Sequence, residues 1–220
     1  MIAIQKTQRI FSSIGYIGNF LNSQVKPGDI YQLDDKQFIL LANITDLIPA
    51  LKLTKRNLVT GKKSNLSFSK ESYVNVKFKG DVSTGHLAKG EVELSFLRKN
   101  SAFISLKDVV ITELKLELIR EDIKKLWLDK KYKMNGRHVI ISQTVQASSG
   151  TVIFSRDRNN KVILKSSDDS PITSLTRLGS GNVDFVINSK AILENICTEK
   201  FIPMFKALYL KRNGQFELTG

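Results

Sequence analysis

A chain of 220 residues in which 41% are hydrophobic is long enough to bury a core and falls outside the disordered class. Its 34 Lys and Arg against 21 Asp and Glu give a net charge of +13, which favours a polyanionic partner, nucleic acid or an acidic lipid surface, without choosing between them. The single cysteine, Cys197, excludes an intramolecular disulfide and a cysteine-based metal cluster. With no mark of an oxidising compartment, cytoplasmic synthesis of one domain spanning 1–220 is expected.

In chain order, Ile10, Ile14, Ile17 and Leu21 recur at helical spacing, widened by Phe11 and Phe20 and preceded by Lys6 and Arg9. This predicts an amphipathic helix with a basic approach. The same stretch loosely imitates a signal peptide, but Ser12, Ser13, Gly15, Gly18 and Asn19 interrupt it and no small-x-small site follows. No apolar run approaches the roughly 20 residues of a membrane-spanning helix, so any insertion must use strands. After the turn at Lys26–Asp29, the segments 30–33 and 38–41 predict a small hairpin around Asp34 and Asp35. Lys52, Lys55, Arg56, Lys62 and Lys63 then fall close together with no acid among them. Near an anionic leaflet each contributes about 1 kcal/mol.

From 66 to 106 apolar and polar residues alternate: Leu66 and Phe68; Val74, Val76 and Phe78; Val92, Leu94 and Phe96; Ala102, Ile104 and Leu106. Two-faced antiparallel strands follow from that period, with a reversal around Gly80, Gly85 and Gly90. Ile119, Ile123, Leu126 and Trp127 predict a second helix, closed by Asn135-Gly136. Alternation returns in Val139, Ile141, Val145 and Ala147, in Val152 and Phe154, in Val162 and Leu164, and in Val183, Phe185 and Ile187. These mark a second long hairpin region, 138–188, whose middle (156–160 and 166–170) is polar. Asn213-Gly214 signals a last hairpin between Leu208 and Phe216.

The chemistry-bearing residues do not assemble into a catalytic pattern. His86 and His138 have no sequence neighbours that would make them ligands or bases, and Cys197 lacks a nucleophile signature. No phosphate-binding loop, dinucleotide fingerprint or HExxH occurs, and Asp34-Asp35 and Asp168-Asp169 sit where turns favour Asp. The expectation is a protein that is not an enzyme and needs no cofactor or metal.

The order of these elements, read with particular residues, resembles the pore-forming domain of the gasdermins, most closely the bacterial branch. Ile44-Thr45-Asp46-Leu47-Ile48 after a short hairpin is similar to the family's small element ahead of a basic loop. An alternating hairpin follows, then 103–106 running into Asp108-Val109-Val110, a charged helix, and 139–144, which is similar to a strand of that family. Pro203 to Leu210 resembles the apolar closing strand of bacterial members. The resemblance implies an α+β fold, a twisted antiparallel or mixed sheet with the N-terminal helix and further helices packed on it. It also implies binding to acidic inner-leaflet lipids, self-oligomerisation into a large β-barrel pore, and cell death in a defence or allorecognition setting.

In this sequence the basic lipid contacts would be Lys6, Arg9, Lys52, Lys55, Arg56, Lys62 and Lys63. The inserting hairpins would carry Val74, Val76, Phe78, Val92, Leu94, Phe96, Val139, Ile141, Val183 and Phe185, packed on a helix before insertion and facing lipid after it. Family members commonly carry a lipidated N-terminal cysteine and a short inhibitory C-terminal segment. The resemblance implies release by proteolysis or another trigger. Here the one cysteine is Cys197 and Gly220 directly follows the last hairpin. The expectation is either a removed tail or restraint by a partner or by the need for a second gasdermin-like chain, with an activating protease or such a chain as partners. Two other readings compete. A basic β-rich nucleic-acid module would want aromatics interleaved with cations, for which Tyr73 and Phe78 beside Lys77 and Lys79 are too few, and nucleic acid is not the expected partner. An acidic-lipid adaptor that docks without inserting needs only the basic loop and first helix.

Overall fold

Residues that alternate apolar and polar at period 2 bury one side of a pleated strand, and this chain is built almost wholly from such strands. The computed structural model describes residues 16–19, 24–34, 37–69, 73–78, 90–129, 134, 138–167, 178–181, 183–187, 192–210 and 216–219. They form β1 (Ile17–Gly18), β2 (Asp29–Asp34), β3 (Gln37–Asn43), α1 (Ile44–Leu47), β4 (Leu58–Thr60), β5 (Ser64–Ser69), β6 (Val74–Phe78), β7 (Glu91–Phe96) and β8 (Ser101–Leu114). After these come α2 (Leu116–Leu128), β9 (His138–Ala147), β10 (Ser149–Ser155), β11 (Asn160–Ser166), β12 (Val183–Ile187), β13 (Ile192–Cys197), β14 (Phe201–Leu210) and β15 (Phe216–Thr219). The fold is α+β and the strand pairs among the described residues are antiparallel. The chain divides into two units, one from 1–62, 110–146 and 202–220, the other from 63–109 and 147–201.

In the first unit β9 is central. It pairs with β14, with β8 over 110–113 and with β2, while β3 extends β2, β4 pairs with β8, and β1 and β15 pair with β14. Apolar residues on both sides of β9 feed two cores. Ile140 joins Ile30, Ile44, Leu114 and Leu208 beneath the apolar side of α2, which supplies Ile119, Ile123, Leu126 and Trp127. Val139 and Ile141, one residue either way, join Ile17, Val25, Tyr31, Phe205 and Ala207. Glu117 in the first turn of α2 and Lys125 in the last complement its dipole. The predicted hairpin 30–41 and the predicted second helix are both present.

The predicted N-terminal helix over 10–21 is met differently. Ile10 to Gly15, Phe20 and Leu21 lie outside the described residues, and Ile17–Gly18 is a short strand against Phe205 and Met204. A β-branched Ile beside Gly suits a short edge strand, whose backbone groups β14 pairs. Asn19 continues the attachment, its backbone N–H donating to the Pro203 carbonyl at 2.7 Å and its side chain to the Ile202 carbonyl at 2.9 Å.

The second unit has two four-stranded sheets. One holds β5, β8 (101–109), β10 and β13 in that order, and the other holds β6, β7, β11 and β12. Val74, Val92, Leu94, Phe96, Val162, Leu164 and Val183 from the second sheet meet Phe103 and Ile153 from the first, with Leu178 between. Gly181 (φ +72°) closes the segment around Leu178. A Cβ there would sit 2.2 Å from the Cys197 carbonyl oxygen and 2.7 Å from its carbon, so no side chain fits. Ser149 and Thr151 on β10 donate to the carbonyls of Gly179 (2.9 Å) and Leu178 (2.6 Å) and hold that segment in place.

Gly181→Ala is expected to destabilise the protein by about 2–3 kcal/mol, a fall in Tm of roughly 5–10 °C for a chain of this size. Gly61→Ala, whose nearest neighbour would be 3.7 Å away, should leave the melting curve in place. Calorimetry on the two variants checks both.

Candidate functional site

Of the seven cations expected to meet lipid, Lys6 and Arg9 lie outside the described residues. Lys52, Lys55, Arg56 and Lys62 are exposed in the first unit, and Lys63, also exposed, begins the second. Their presentation is not accidental. Asn57, 9% exposed, accepts from the Thr54 N–H at 2.7 Å and donates to the Lys52 carbonyl at 2.8 Å. The backbone N–H groups of Asn57 and Leu58 return to the Thr54 carbonyl. This inward-facing amide turns the chain so that Lys55 and Arg56 stand on the outside of a tight loop.

The ten residues expected on inserting hairpins separate into two groups. Val74, Val92, Leu94, Phe96 and Val183 are buried in the second unit, with Val76 and Phe78 half-buried against the same core. Phe185 lies beside them on β12, opposite Leu164. Val139 and Ile141 do not join this group. They belong to β9 and the core of the first unit, because the alternation that begins at 139 is shared between two different sheets.

Among the described residues the second-unit positions pack chiefly on a second sheet, with Leu178 the one helical residue in their core. Val74, Val92, Leu94 and Phe96 pack on Phe103 and Ile153 of a second sheet, while the apolar side of α2 is spent on the first unit. Alternation records that one face of a strand is buried and says nothing about whether a helix or another sheet buries it.

The two sheets of the second unit follow each other strand for strand. β5 continues as β6, β8 is the continuation of β7, β10 continues as β11 and β13 is the continuation of β12, and the neighbours are the same in both sheets. The register carries over as well. Ser155 faces Ser101 where β10 ends and β8 begins, and five residues on in one chain segment and five back in the other Asn160 faces Phe96 where β11 begins and β7 ends, with no slip. The outer pairs slip: Ser69 faces Phe103 and Val74 faces Phe96, a slip of two, while Ser155 faces Ile192 and Ile163 faces Ile187, a slip of three that a register shift between Ile163 and Leu164 brings back to two where Leu164 faces Phe185. An even slip keeps side chains on their original face, which holds along β6 and, past that shift, along β12. The second sheet is therefore the first one folded over along a line of turns.

Those turns are tied to one another. The Leu97 N–H donates to the Tyr73 carbonyl at 2.8 Å, the Asn159 N–H to the Phe96 carbonyl at 2.7 Å, and the Asn100 N–H to the Arg156 carbonyl at 3.4 Å. Asn100 (φ 56°) and Asn159 (φ 62°) take the left-handed conformation that each reversal requires, one that Asn tolerates better than other side-chain-bearing residues. Arg98 lies 4.7 Å above the centre of the Tyr73 ring. Sequence reading did not single out Arg98, Lys99 or Asn100, and saw 156–160 only as polar. Nearly sixty residues separate the two turns, and only the fold brings them together.

Among the described residues no helix is long and apolar enough to cross a membrane, and no group of three His, Cys, Asp or Glu is placed to hold a metal ion.

No family model and no curated protein matches the chain. Among solved structures it is similar to a bacterial gasdermin from Bradyrhizobium tropiciagri, with 8% identity and a TM-score of 0.34 over 89% of this chain and 82% of that one. It is also similar to the gasdermin A3 membrane pore, with 12% identity and a TM-score of 0.24 over 89% of this chain and 88% of that one.

Proposed function

We propose that this chain is a pore-forming protein that docks on acidic lipid, self-associates and inserts two β-hairpins into a closed barrel, acting as one domain over 1–220 and without catalysis or cofactor. The observation that carries the reading is the register of β8 with β10 continuing without slip into β7 with β11. A small sandwich would ordinarily count against strands that leave their packing. A sheet folded on itself is different, because straightening the turns breaks no ladder between the sheets and joins short strands into long ones.

The joined strands would be 64–78, 91–109, 149–166 and 183–197, each longer than the roughly 9–11 residues that a spanning strand needs. Straightening also sorts the side chains. In 91–107 the even positions become one face, with Val92, Leu94, Phe96, Ala102, Ile104 and Leu106 interrupted by Arg98 and Asn100, while Glu91, Glu93, Ser95, Ser101, Ser105 and Lys107 lie on the other together with Leu97 and Phe103. In 149–166 Val152, Phe154, Val162 and Leu164 oppose Ser149, Thr151, Ser155, Lys161 and Lys165, with Ile153 and Ile163 as the apolar exceptions on that side. Strands with one mainly apolar and one mainly polar face suit a barrel with lipid outside and water inside, and closure leaves no unpaired edge.

The cost decides when this happens. Exposing the ten buried side chains of the second-unit core to water costs about 15–30 kcal/mol, more than the roughly 5–15 kcal/mol that holds a domain folded. Opening in solution is therefore negligible, and lipid must replace the lost packing as it occurs. Attraction of a +13 chain to an anionic leaflet brings the lipid there, with Lys52, Lys55, Arg56, Lys62 and Lys63 as contacts, joined by Lys6 and Arg9. In a cell this means a cytoplasmic protein that moves to the inner face of the membrane. Release by a protease or by a second gasdermin-like chain sets it off, and permeabilisation kills the cell as a defence against phage or a non-self neighbour. The closed core favours one alternative, an adaptor that docks on acidic lipid and never opens.

The protein, before or after limited proteolysis, is expected to release dye from vesicles containing phosphatidylserine and not from phosphatidylcholine vesicles. Binding with every vesicle left sealed would favour the adaptor. Val76→Asp, at a half-buried position, should abolish leakage while leaving vesicle binding intact. Reversing Lys55 and Arg56 to Glu should weaken binding by at least about tenfold, measured by co-sedimentation, and leakage indifferent to both changes would show that other surfaces are used.

A further inference from the structure

Four cations that are far apart in sequence share one end of the second unit. The turn at 97–100 reads Leu-Arg-Lys-Asn and the turn at 156–159 reads Arg-Asp-Arg-Asn, and the Asn100–Arg156 and Asn159–Phe96 hydrogen bonds join them. Residues 97–100 and 157–159 are exposed and Arg156 is half-exposed. Asp157 is the single acid in either turn.

The pair is stiffened from within. The Ser101 hydroxyl donates to the Arg98 carbonyl at 2.6 Å, the Ser155 hydroxyl to the Asp157 carbonyl at 2.8 Å, and the Asn160 side chain to the Ser155 oxygen at 2.7 Å. The Tyr73 ring steadies Arg98. Among these cations stands Leu97, a large apolar side chain left 47% exposed. A solvated polar turn has no use for it, whereas a bilayer surface offers phosphates to the cations and an acyl boundary to the leucine.

We propose that these paired turns are a docking site for acidic phospholipid headgroups, separate from the basic segment 52–63, with Arg98, Lys99, Arg156 and Arg158 facing the phosphates and Leu97 entering the acyl boundary. The proposal rests on the acidic-membrane reading above. Its place on the fold line gives it a second consequence. In straightened strands Arg98, Asn100, Arg156, Arg158 and Asn160 interrupt the apolar face between two apolar blocks, and a cationic belt belongs at the headgroup layer. From that belt to the reversal that the sequence puts near Gly85 there are about 12 residues on each limb, the length that crosses a bilayer. The docked turns thus mark the depth at which the first hairpin stops.

The test is co-sedimentation of the full chain with phosphatidylcholine vesicles containing phosphatidylserine, compared with phosphatidylcholine alone, at physiological salt. With each cation contributing about a fivefold change in binding, Arg98→Gln with Arg156→Gln should reduce partition to the acidic vesicles about 30-fold. Arg98→Lys with Arg156→Lys should restore it, which excludes misfolding as the cause. Leu97→Ser should weaken binding further at high salt, where the charge contribution is screened. Unchanged partition of the glutamine pair overturns the site, whatever the wild type does to vesicle contents. A wild type that binds but never leaks leaves the site standing and removes the pore. A single-stranded oligonucleotide bound by the wild type and lost in the glutamine pair, with vesicle binding kept, would assign the turns to nucleic acid and overturn the proposal.

Discussion

The pairing of β10 with β8 runs on, five residues later, as the pairing of β11 with β7, and the rest of the second unit depends on that continuity. Two sheets that arose independently would have no reason to share strand order, and still less to share register. Because they do, the packing of Val92, Leu94 and Phe96 on Phe103 and Ile153 is that of a sheet pressed against its own continuation. The cost of that arrangement is concentrated in the turns. Asn100 and Asn159 hold left-handed backbone, and hydroxyls from Ser101 and Ser155 satisfy carbonyls that the bends release.

Folding over solves a solubility problem. A continuous strand with Val92, Leu94, Phe96, Ala102, Ile104 and Leu106 on one face would present a long apolar stripe to water, an invitation to aggregation. Bending the strand at 97–100 sends the two halves of the stripe to opposite sides of the first sheet. The inner half is buried in the sandwich and the outer half, Ala102, Ile104 and Leu106, is buried elsewhere in the unit. The same sequence can thus satisfy two environments. In water the fold-over hides the stripe, and on the proposed insertion its 92–96 block would be the surface that lipid requires. On the proposed function the opening would need a bilayer, because the core is too large to open without one, and negative charge, because a chain of +13 gains nothing from a neutral surface.

Much of this was legible in the residues. Period-2 alternation located β5 to β8 and β9 to β12, Asp34-Asp35 located the reversal between β2 and β3, and the Ile119, Ile123 and Trp127 spacing located α2. What was not legible depends on partners distant in sequence. The stripe at 10–21 has helical spacing, yet Ile17 is taken by β14 because the edge of that strand offers backbone partners. Val139 and Ile141 alternate as well as Val183 does, but β9 belongs to the first unit, and periodicity carries no label for the sheet a strand joins. That Val92, Leu94 and Phe96 meet Phe103 and Ile153 of a second sheet was hidden for the same reason. Arg98 and Arg156 looked like unrelated loop charges until the fold line put their turns side by side. A search for apolar blocks of matching parity on either side of a short polar break, at 92–106 and again at 152–164, is the signal that would have exposed the fold line.

The central claim is that 74–78 and 92–96 leave the sandwich and face lipid on alternate residues. Single cysteines at 75, 76, 77 and 78, placed in a Cys197→Ser background and labelled with an environment-sensitive dye, test it most directly when phosphatidylserine vesicles with brominated acyl chains are added. The account predicts quenching at 76 and 78 and none at 75 and 77. Dyes that stay unquenched at all four positions, or are quenched equally at all four, would contradict it.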